Sequence, residues 1–235
     1  MVRTPIWKSI TATLESDISA GHYRAGDKLP TEAELSARFG VNRHTVRRAL
    51  ADMAERGVVR SRRGAGVFVD APPTEYPIGR RVRFRNNIEA AGRLPGRQVL
   101  RCETRPCDQH EAQALNLSVG DPVFVYEGLS LAGDNPIGHF ISVFPISRLP
   151  DMQEALTKTN SVTEALKLCG VADYTRRDTR LTAEPASTTQ ALHLRLREGD
   201  PLLKSVGINV DPNGIPVEFG TTCFAGERVT LTLAT

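Results

Sequence analysis

The stretch "GVNRHTVRRAL", from Gly40 to Leu50, brings several charged and hydrogen-bonding side chains close together in the 235-residue chain. Its apolar residues Val46 and Leu50 are four positions apart, as they are on one face of a helix. The side chains that this spacing turns outward carry positive charge or hydrogen-bonding groups: Arg43, His44, Thr45, Arg47 and Arg48. Guanidinium groups bind phosphate oxygens and guanine edges in bidentate fashion, so this surface suits an anionic partner.

Positive charge is concentrated in the first third of the chain. The net charge is only +3, but residues 1–75 hold 12 Lys and Arg against 9 Asp and Glu, whereas residues 76–235 hold 18 of each. Between Ser36 and Arg63 there are eight arginines and only two acidic residues. A polyanion responds to this local concentration more than to the small net charge.

Composition narrows the class of protein. A hydrophobic fraction of 40% and a charged fraction of 24% are typical of a soluble globular protein. No apolar run reaches the ~18 residues of a spanning helix, and the first residues lack the apolar core of a secretion signal. We therefore expect a cytoplasmic protein without membrane contact. The four cysteines form no CxxC pair and the five histidines are scattered, so neither a metal nor a cofactor is expected.

Three helices are predicted to hold the basic face. The first, near the N-terminus, has an isoleucine or leucine at every fourth position. For the second, Glu32–Phe39, Thr31 is the N-cap and Glu34 completes a capping box. Asn42 caps the third helix, which carries the basic face and ends near Gly57. Each of these helices therefore has its own local start or packing signal.

A basic hairpin is predicted directly after the third helix, with β-rich pieces Val58–Ser61 and Val67–Val69. Two helices, a short turn, a third helix and a hairpin form the plan of a winged helix-turn-helix. In such a motif, the N-terminal end of the last helix enters the major groove of DNA. A solvated charged face alone would not explain this order of elements. The expected DNA contacts are Arg43, His44, Thr45, Arg47 and Arg48 of the helix, and Arg62, Arg63, Gly64 and Gly66 of the wing.

A proline-rich stretch, "DAPPTEYP", separates this region from the rest of the chain. It has three prolines in eight residues and is typical of an extended connector. We predict a winged helix-turn-helix domain at 1–70, a linker at 71–77 and a second domain at 78–235. In the second domain, β-rich segments joined by hairpin turns outnumber the helices. This pattern of segments predicts an α+β domain with a mainly antiparallel sheet.

The second domain begins with its own run of arginines. Arg81, Arg83 and Arg85 precede the helix-like "NNIEAAG", and on a strand they would share one face. Guanidinium groups beside a helix N-terminus form a phosphate or phosphonate site. Ser161 caps a second helix, "SVTEALKLCG", with Thr163 in its first turn. The sequence therefore predicts that this domain binds a small anion.

Two parts of the chain resemble known families. The segment Gly26–Val69 is similar to the DNA-binding domain of the GntR family of bacterial transcriptional regulators. "NSVTEALKLCGV" and "LREGDPLLKSVGINVDPNGIPVEFGTTCFAGERVTL" resemble the UTRA effector domain of the HutC branch, and within it the regulators of phosphonate uptake and breakdown. The resemblance implies a chorismate-lyase-like second domain. It also implies a homodimeric repressor that binds double-stranded operator DNA and a small anionic effector.

The resemblance also implies which residues bind the effector. Glu218 would receive an amino group, while Arg180 and Arg228 are equally compatible with structural ion pairs. Sugar-phosphate-sensing relatives often have arginines at the positions of Gly128 and Ser130. The ligand contacts of those relatives therefore do not carry over directly to this sequence. The candidates are Arg83, Arg85, Asn86 and Ser161, together with Thr163, His139, Arg180, Glu218 and Arg228.

The effector class and the protein class each have an alternative reading. The expected effector is a phosphonate or a phosphorylated metabolite, and an amino-sugar phosphate or a histidine-pathway acid is the alternative. An enzyme on the same fold would need a catalytic constellation. The sequence has no nucleophile elbow, no paired acid motif and no phosphate-binding loop, so we expect a regulator without catalytic residues.

Overall fold

The computed structural model describes residues 5–62, 64–70, 73–81 and 83–233. The chain divides into two compact units, Met1–Pro72 and Pro73–Thr235. No helix in the described ranges has both the length and the apolar character needed to cross a membrane.

The N-terminal unit consists of three helices and an antiparallel hairpin, which confirms the winged helix-turn-helix plan. The Thr31–Glu34 capping box forms as predicted, because the backbone N–H of each residue donates to the side chain of the other. Gly40 has a φ of 64°, the left-handed conformation that ends a helix most easily at glycine. The elements are α1 (Ile6–Ser19), α2 (Glu32–Phe39), α3 (Arg43–Glu55), β1 (Val59–Arg62) and β2 (Gly66–Val69).

One side of each helix forms the core of this unit. Leu14 of α1, Leu35 of α2 and Val46 and Met53 of α3 are fully buried together. Burying a side chain of this size stabilises the fold by about 1.5–3 kcal/mol. Because α3 gives one face to this core, its opposite face is left to solvent.

Asn42 fixes the start of α3, since its Oδ1 accepts hydrogen bonds from the Thr45 N–H (2.9 Å) and hydroxyl (3.0 Å). We expect Asn42→Ala to lower the free energy of unfolding by about 1 kcal/mol, the usual effect of losing an N-cap. For a unit of this size, the midpoint of thermal unfolding should fall by about 4–8 °C. Circular dichroism would measure the fall. Asn42→Ser keeps an acceptor and should behave like the parent, so equal losses in both variants would contradict capping.

The strands of the C-terminal unit are β3 (Thr74–Pro77), β4 (Pro95–Pro106), β5 (Pro122–Ala132), β6 (Asn135–Pro145), β7 (Thr175–Pro185), β8 (Pro201–Val210), β9 (Pro216–Ala225) and β10 (Val229–Thr232). They form a six-stranded antiparallel sheet in the order β4-β5-β6-β9-β8-β7 and a separate parallel pair, β3 with β10. The helices are α4 (Phe84–Ala90), α5 (Gln109–Leu115), α6 (Met152–Thr159), α7 (Val162–Leu168) and α8 (Thr188–Leu194). This arrangement confirms the predicted α+β class.

Helices cover both faces of the large sheet. Along β5, Val123 and Val125 pack with α5, whereas Phe124 and Tyr126 belong to the cluster around α6 and α7. This alternation follows from the two-residue repeat of a strand. Leu194 of α8 packs with residues of the sheet in a further cluster. The two faces therefore have different neighbours, and a site on one face is closed to residues of the other.

An internal repeat, absent from the sequence-based expectations, organises the sheet. The units β4-α5-β5-β6 and β7-α8-β8-β9 have the same element order and meet at the β6–β9 pair. "LNLSVGDP" after α5 corresponds to "LRLREGDP" after α8. In both turns an aspartate carboxylate accepts a backbone N–H three residues earlier, Asp121 from Ser118 and Asp200 from Arg197. The sheet is therefore made of two related halves.

Two expectations for the start of this unit are corrected by the fold. Residues 74–77, expected in the linker, form β3 because their backbone pairs with β10. Arg81, Arg83 and Arg85 do not share a strand, because α4 begins at Phe84 and places Arg83 at its N-cap. The run of alternating arginines therefore does not present one common face.

Helices α5, α6 and α8 were not expected from the sequence. Two of them have clear start signals. Asp108 and Glu111 form a capping box at α5, and Ser187 and Gln190 form one at α8. Each helix is only seven residues long, so its apolar periodicity is too short to stand out between flanking strands.

Candidate nucleic-acid interface and ligand cavity

The solvent-facing side of α3 carries the side chains predicted to contact DNA. Arg43, His44, Arg47 and Arg48 are exposed. Thr45 is half-buried, and its hydroxyl donates to the cap Asn42. The N-terminal end of α3 therefore presents cations and hydrogen-bonding groups on a rigid, capped helix.

Arg47 is held in place by Glu32 at the start of α2. Its Nε lies 3.0 Å from Glu32 Oε1, and its Nη2 lies 2.7 Å from Oε2. A bidentate pair fixes the plane of the guanidinium group. The hydrogen bond from Arg47 also holds the pKa of Glu32 below its ordinary value. Because neither bond uses Nη1, that nitrogen can still meet a base or a phosphate.

Arg48 has a different environment from its neighbour. Its guanidinium carbon lies 4.9 Å from the centre of the Trp7 ring of α1, in a cation–π arrangement. This contact draws Arg48 towards α1. Its guanidinium group therefore already has an aromatic partner within the N-terminal unit.

The wing is the hairpin between β1 and β2. Gly64 is exposed with a φ of 79°, and Gly66 has a φ of 115°. A Cβ at Gly66 would lie 2.7 Å from Cε of Lys28, so a larger residue there would displace the lysine. The predicted contact Arg63 lies outside the described residues, as does the side chain of Arg62.

The C-terminal unit contains a cavity of about 630 Å³ that is lined by the sheet, α4 and α7. This volume is in the range of small-molecule sites. Three predicted effector residues, His139, Arg180 and Arg228, do not line it. The predicted residues that do are Arg83, Arg85, Asn86, Ser161, Thr163 and Glu218.

The three excluded residues have other positions in the fold. Phe140 lines the cavity, so its neighbour His139 points to the other face of the sheet, where its Nε2 lies 2.8 Å from Oε1 of Glu127. Arg180 is exposed on the edge strand β7. Arg228 is buried, and its guanidinium donates to three backbone carbonyl oxygens, which is a structural role.

One carboxylate binds two of the arginines at the rim of the cavity. Arg81 and Arg83 both donate to Oδ1 of Asp173, at 2.6 and 3.0 Å. Arg83 also donates to the carbonyl oxygen of Tyr174 and stacks on its ring. The hydrogen bond from Arg81 holds the pKa of Asp173 below its ordinary value. The positive charge at this rim is thus partly neutralised within the protein.

Two further arginines that sequence reasoning missed line the same cavity: Arg97 of β4 and Arg176 of β7. Arg97 packs over the ring of Phe140, with its guanidinium carbon 5.0 Å from the ring centre. It lies opposite Ser130 in the β4–β5 register. Only that long-range register brings Arg97 to the cavity, so the local sequence gives no signal for it.

Glu218 of β9 lies in the wall of the cavity and is only 7% exposed. Its Oε1 accepts a hydrogen bond from the Ser142 hydroxyl at 2.6 Å, and its Oε2 accepts one from Asn209 Nδ2 at 2.5 Å. These neutral donors fix the carboxylate without cancelling its charge.

Comparison with known families defines the class of protein. Residues 7–69 match the family described as bacterial regulatory proteins, gntR family, and residues 90–230 match the UTRA domain. The chain therefore belongs to the GntR family and carries a UTRA domain. The first domain implies DNA binding and the second implies a small-molecule effector, so the protein is a transcriptional regulator and not an enzyme.

Particular relatives cover almost the whole chain. An uncharacterized HTH-type transcriptional regulator of Rhizobium meliloti (strain 1021) is 35% identical over 98% of this chain and 95% of its own length. The probable transcriptional regulator PhnF of Escherichia coli (strain K12) is 31% identical over 97% of this chain and 94% of its own length. The crystal structure of PhnF from Mycobacterium smegmatis has a TM-score of 0.67 at 24% identity, covering 96% of this chain and 98% of that one. That likeness shows the shared fold.

Proposed function

We propose that this protein is a cytoplasmic homodimeric repressor of genes for phosphonate uptake and metabolism. A small phosphonate or phosphate-containing effector releases it from its operator. One observation carries the proposal: a capped recognition helix with exposed cations and an arginine-lined cavity occur in the same chain. The similarity to PhnF of Escherichia coli over nearly the whole chain supports the phosphonate link.

The proposed mechanism couples the cavity to half-site spacing. A dimer presents two α3 helices to successive major grooves, which are about 34–36 Å apart. An effector that binds one arrangement of the dimer more tightly shifts the population towards it. Release follows when the favoured arrangement no longer matches the operator.

The DNA-binding part is tested with the promoter of the protein's own operon. Fluorescence anisotropy would compare this DNA with a shuffled sequence of the same length at one salt concentration. We expect tighter binding to the promoter, and we expect both affinities to fall with added salt because cations of the protein replace counterions. Equal affinity for the two DNAs would refute sequence-specific regulation.

The effector part is tested by thermal-shift screening of the whole protein. The panel contains alkylphosphonates, amino-sugar phosphates and histidine-pathway acids. A ligand at 100 times its dissociation constant adds about 2.7 kcal/mol of stability. A rise with phosphonates that is accompanied by loss of operator binding supports the proposal. A rise with only another class would assign the regulator to that metabolite.

A further inference from the structure

The cavity of the C-terminal unit contains cationic nitrogens that lack acceptors. In the part of the chain that the structure describes, Nη1 of Arg83, Nη1 of Arg97 and Nε of Arg176 are buried in this lining without a hydrogen-bond partner, and of the three residues only Arg83 forms an ion pair, with Asp173. A buried N–H without an acceptor destabilises the folded protein. A bound anion with several oxygen atoms would supply the missing acceptors.

Arg97 and Arg176 both line the cavity, together with Tyr76. Burial raises the pKa of Tyr76 to about 12, and the positive charges of both arginines oppose that rise. Gly207 of β8 leaves room for the guanidinium group of Arg176, because a Cβ at residue 207 would overlap Nη1 of the arginine.

Glu218 provides the opposite charge in the same cavity. The other two acidic residues of the lining have cationic partners, since Asp173 binds Arg81 and Arg83, and Glu164 binds Lys167. Within the described residues, Glu218 has only neutral hydrogen-bond donors, one for each carboxylate oxygen. Each oxygen can accept a second hydrogen bond. A buried carboxylate in this state is stabilised by a cation that enters with the ligand.

We propose that the cavity binds a zwitterion, whose phosphonate or phosphate monoester group lies against Arg97 and Arg176 and whose primary ammonium lies against Glu218. This inference rests on the proposed function and narrows its effector to an amino-substituted phosphonate or phosphate. The tetrahedral anion presents oxygen atoms to the guanidinium nitrogens that lack acceptors. The ammonium presents N–H donors to the Glu218 carboxylate, so the two charges also set the orientation of the ligand.

The ligand class is tested by isothermal titration calorimetry on the full chain with three probes. The probe 2-aminoethylphosphonate has both charges, ethylphosphonate lacks the ammonium, and ethanolamine lacks the anion. We expect 2-aminoethylphosphonate to bind at least tenfold more tightly than ethylphosphonate. Ethanolamine should not bind measurably. Equal affinity for the first two probes would overturn the role of Glu218.

Variants test the residues. Arg97→Gln and Arg176→Gln should each weaken binding of 2-aminoethylphosphonate at least tenfold. Arg101→Gln on β4 and Arg180→Gln on β7 are matched controls, because they lie on the same two strands outside the cavity and should bind like the parent. Glu218→Gln should bring the affinities for 2-aminoethylphosphonate and ethylphosphonate within about threefold of each other, a change that a purely structural role of Glu218 would not produce. Circular dichroism melting confirms that each variant is folded.

Two outcomes would overturn the assignment. In the first, Arg97→Gln and Arg176→Gln bind 2-aminoethylphosphonate as tightly as the parent. In the second, the parent binds none of the three probes. Operator binding is measured on the same preparations by anisotropy. If the protein selects the promoter but fails these tests, the proposed DNA-binding function stands and the ligand assignment of the cavity is wrong. If it binds 2-aminoethylphosphonate but does not select the promoter, the ligand assignment stands and the proposed regulation is wrong.

Discussion

Arg47→Ala is expected to weaken operator binding by about 1–3 kcal/mol, which is the effect of losing an arginine that reads a base. The side chain extends from the exposed face of α3, and its bidentate pair with Glu32 fixes the plane of its guanidinium group. Pre-organisation of this kind reduces the entropy lost when the arginine meets guanine. Anisotropy titrations with promoter and shuffled DNA at equal salt measure the change in each affinity.

Two other variants sharpen this test. Glu32→Gln removes the charge that anchors Arg47, so promoter affinity should fall while affinity for shuffled DNA holds or rises, because an anion near the phosphates is lost. Arg56→Ala is the control, since Arg56 lies just beyond the C-terminal end of α3 and pairs with Glu15 and Asp52. It should leave the ratio of the two affinities unchanged. If Arg47→Ala weakened binding to both DNAs equally, Arg47 would be a phosphate contact and the base-reading assignment would be wrong.

Arg228→Met is expected to lower the free energy of unfolding of the C-terminal unit by about 3 kcal/mol. The buried guanidinium donates to the carbonyl oxygens of Pro136 and Leu194 at 2.6 Å and to that of Arg195 at 3.0 Å. These bonds satisfy carbonyls at the end of α8 and at the β5–β6 turn. Each hydrogen bond to a charged group contributes about 1.5–3 kcal/mol, and methionine recovers part of the total because burying a cation is costly.

Urea unfolding followed by fluorescence or circular dichroism measures this loss. Arg180→Met provides the matched control, because Arg180 is an exposed arginine of the same unit and its replacement should change stability by no more than about 0.5 kcal/mol. Similar stability of both variants would show that Arg228 is dispensable for the fold. The comparison also tests the structural role of Arg228, because replacing a residue that only bound the effector would weaken effector binding and leave stability intact.

Local signals explain why the N-terminal unit could be predicted closely. Thr31 and Glu34 lie three positions apart, Gly40 follows directly, and Asn42 starts the next helix. Each signal acts through hydrogen bonds within a few residues, so its outcome hardly depends on the rest of the chain. The predicted bounds of α2 are those observed, and α3 starts directly after its predicted cap.

The cavity could be predicted only in part, because strand pairing decides which side chains meet there. His139 and Phe140 are adjacent in sequence, yet only Phe140 lines the cavity. Arg97 enters the site because it lies opposite Ser130 in a register that no local pattern reveals. Ser161 and Thr163 were identifiable because they begin a helix, and a helix start is a local feature. Arg97 and Arg176 could be proposed as anion ligands only from the structure, which shows which guanidinium groups already have hydrogen-bond partners.

Strand β3 connects the cavity to the chain segment that follows the N-terminal unit. Tyr76 stands in the wall of the cavity and only four residues after Pro72, the last residue of the N-terminal unit. Strand β10 holds β3 from the other end of the chain, and the Thr74 N–H donates to the carbonyl oxygen of Arg228. The segment that follows the N-terminal unit therefore also forms part of the wall of the cavity. A ligand in that cavity would therefore contact the strand that leads along the chain to the DNA-binding unit.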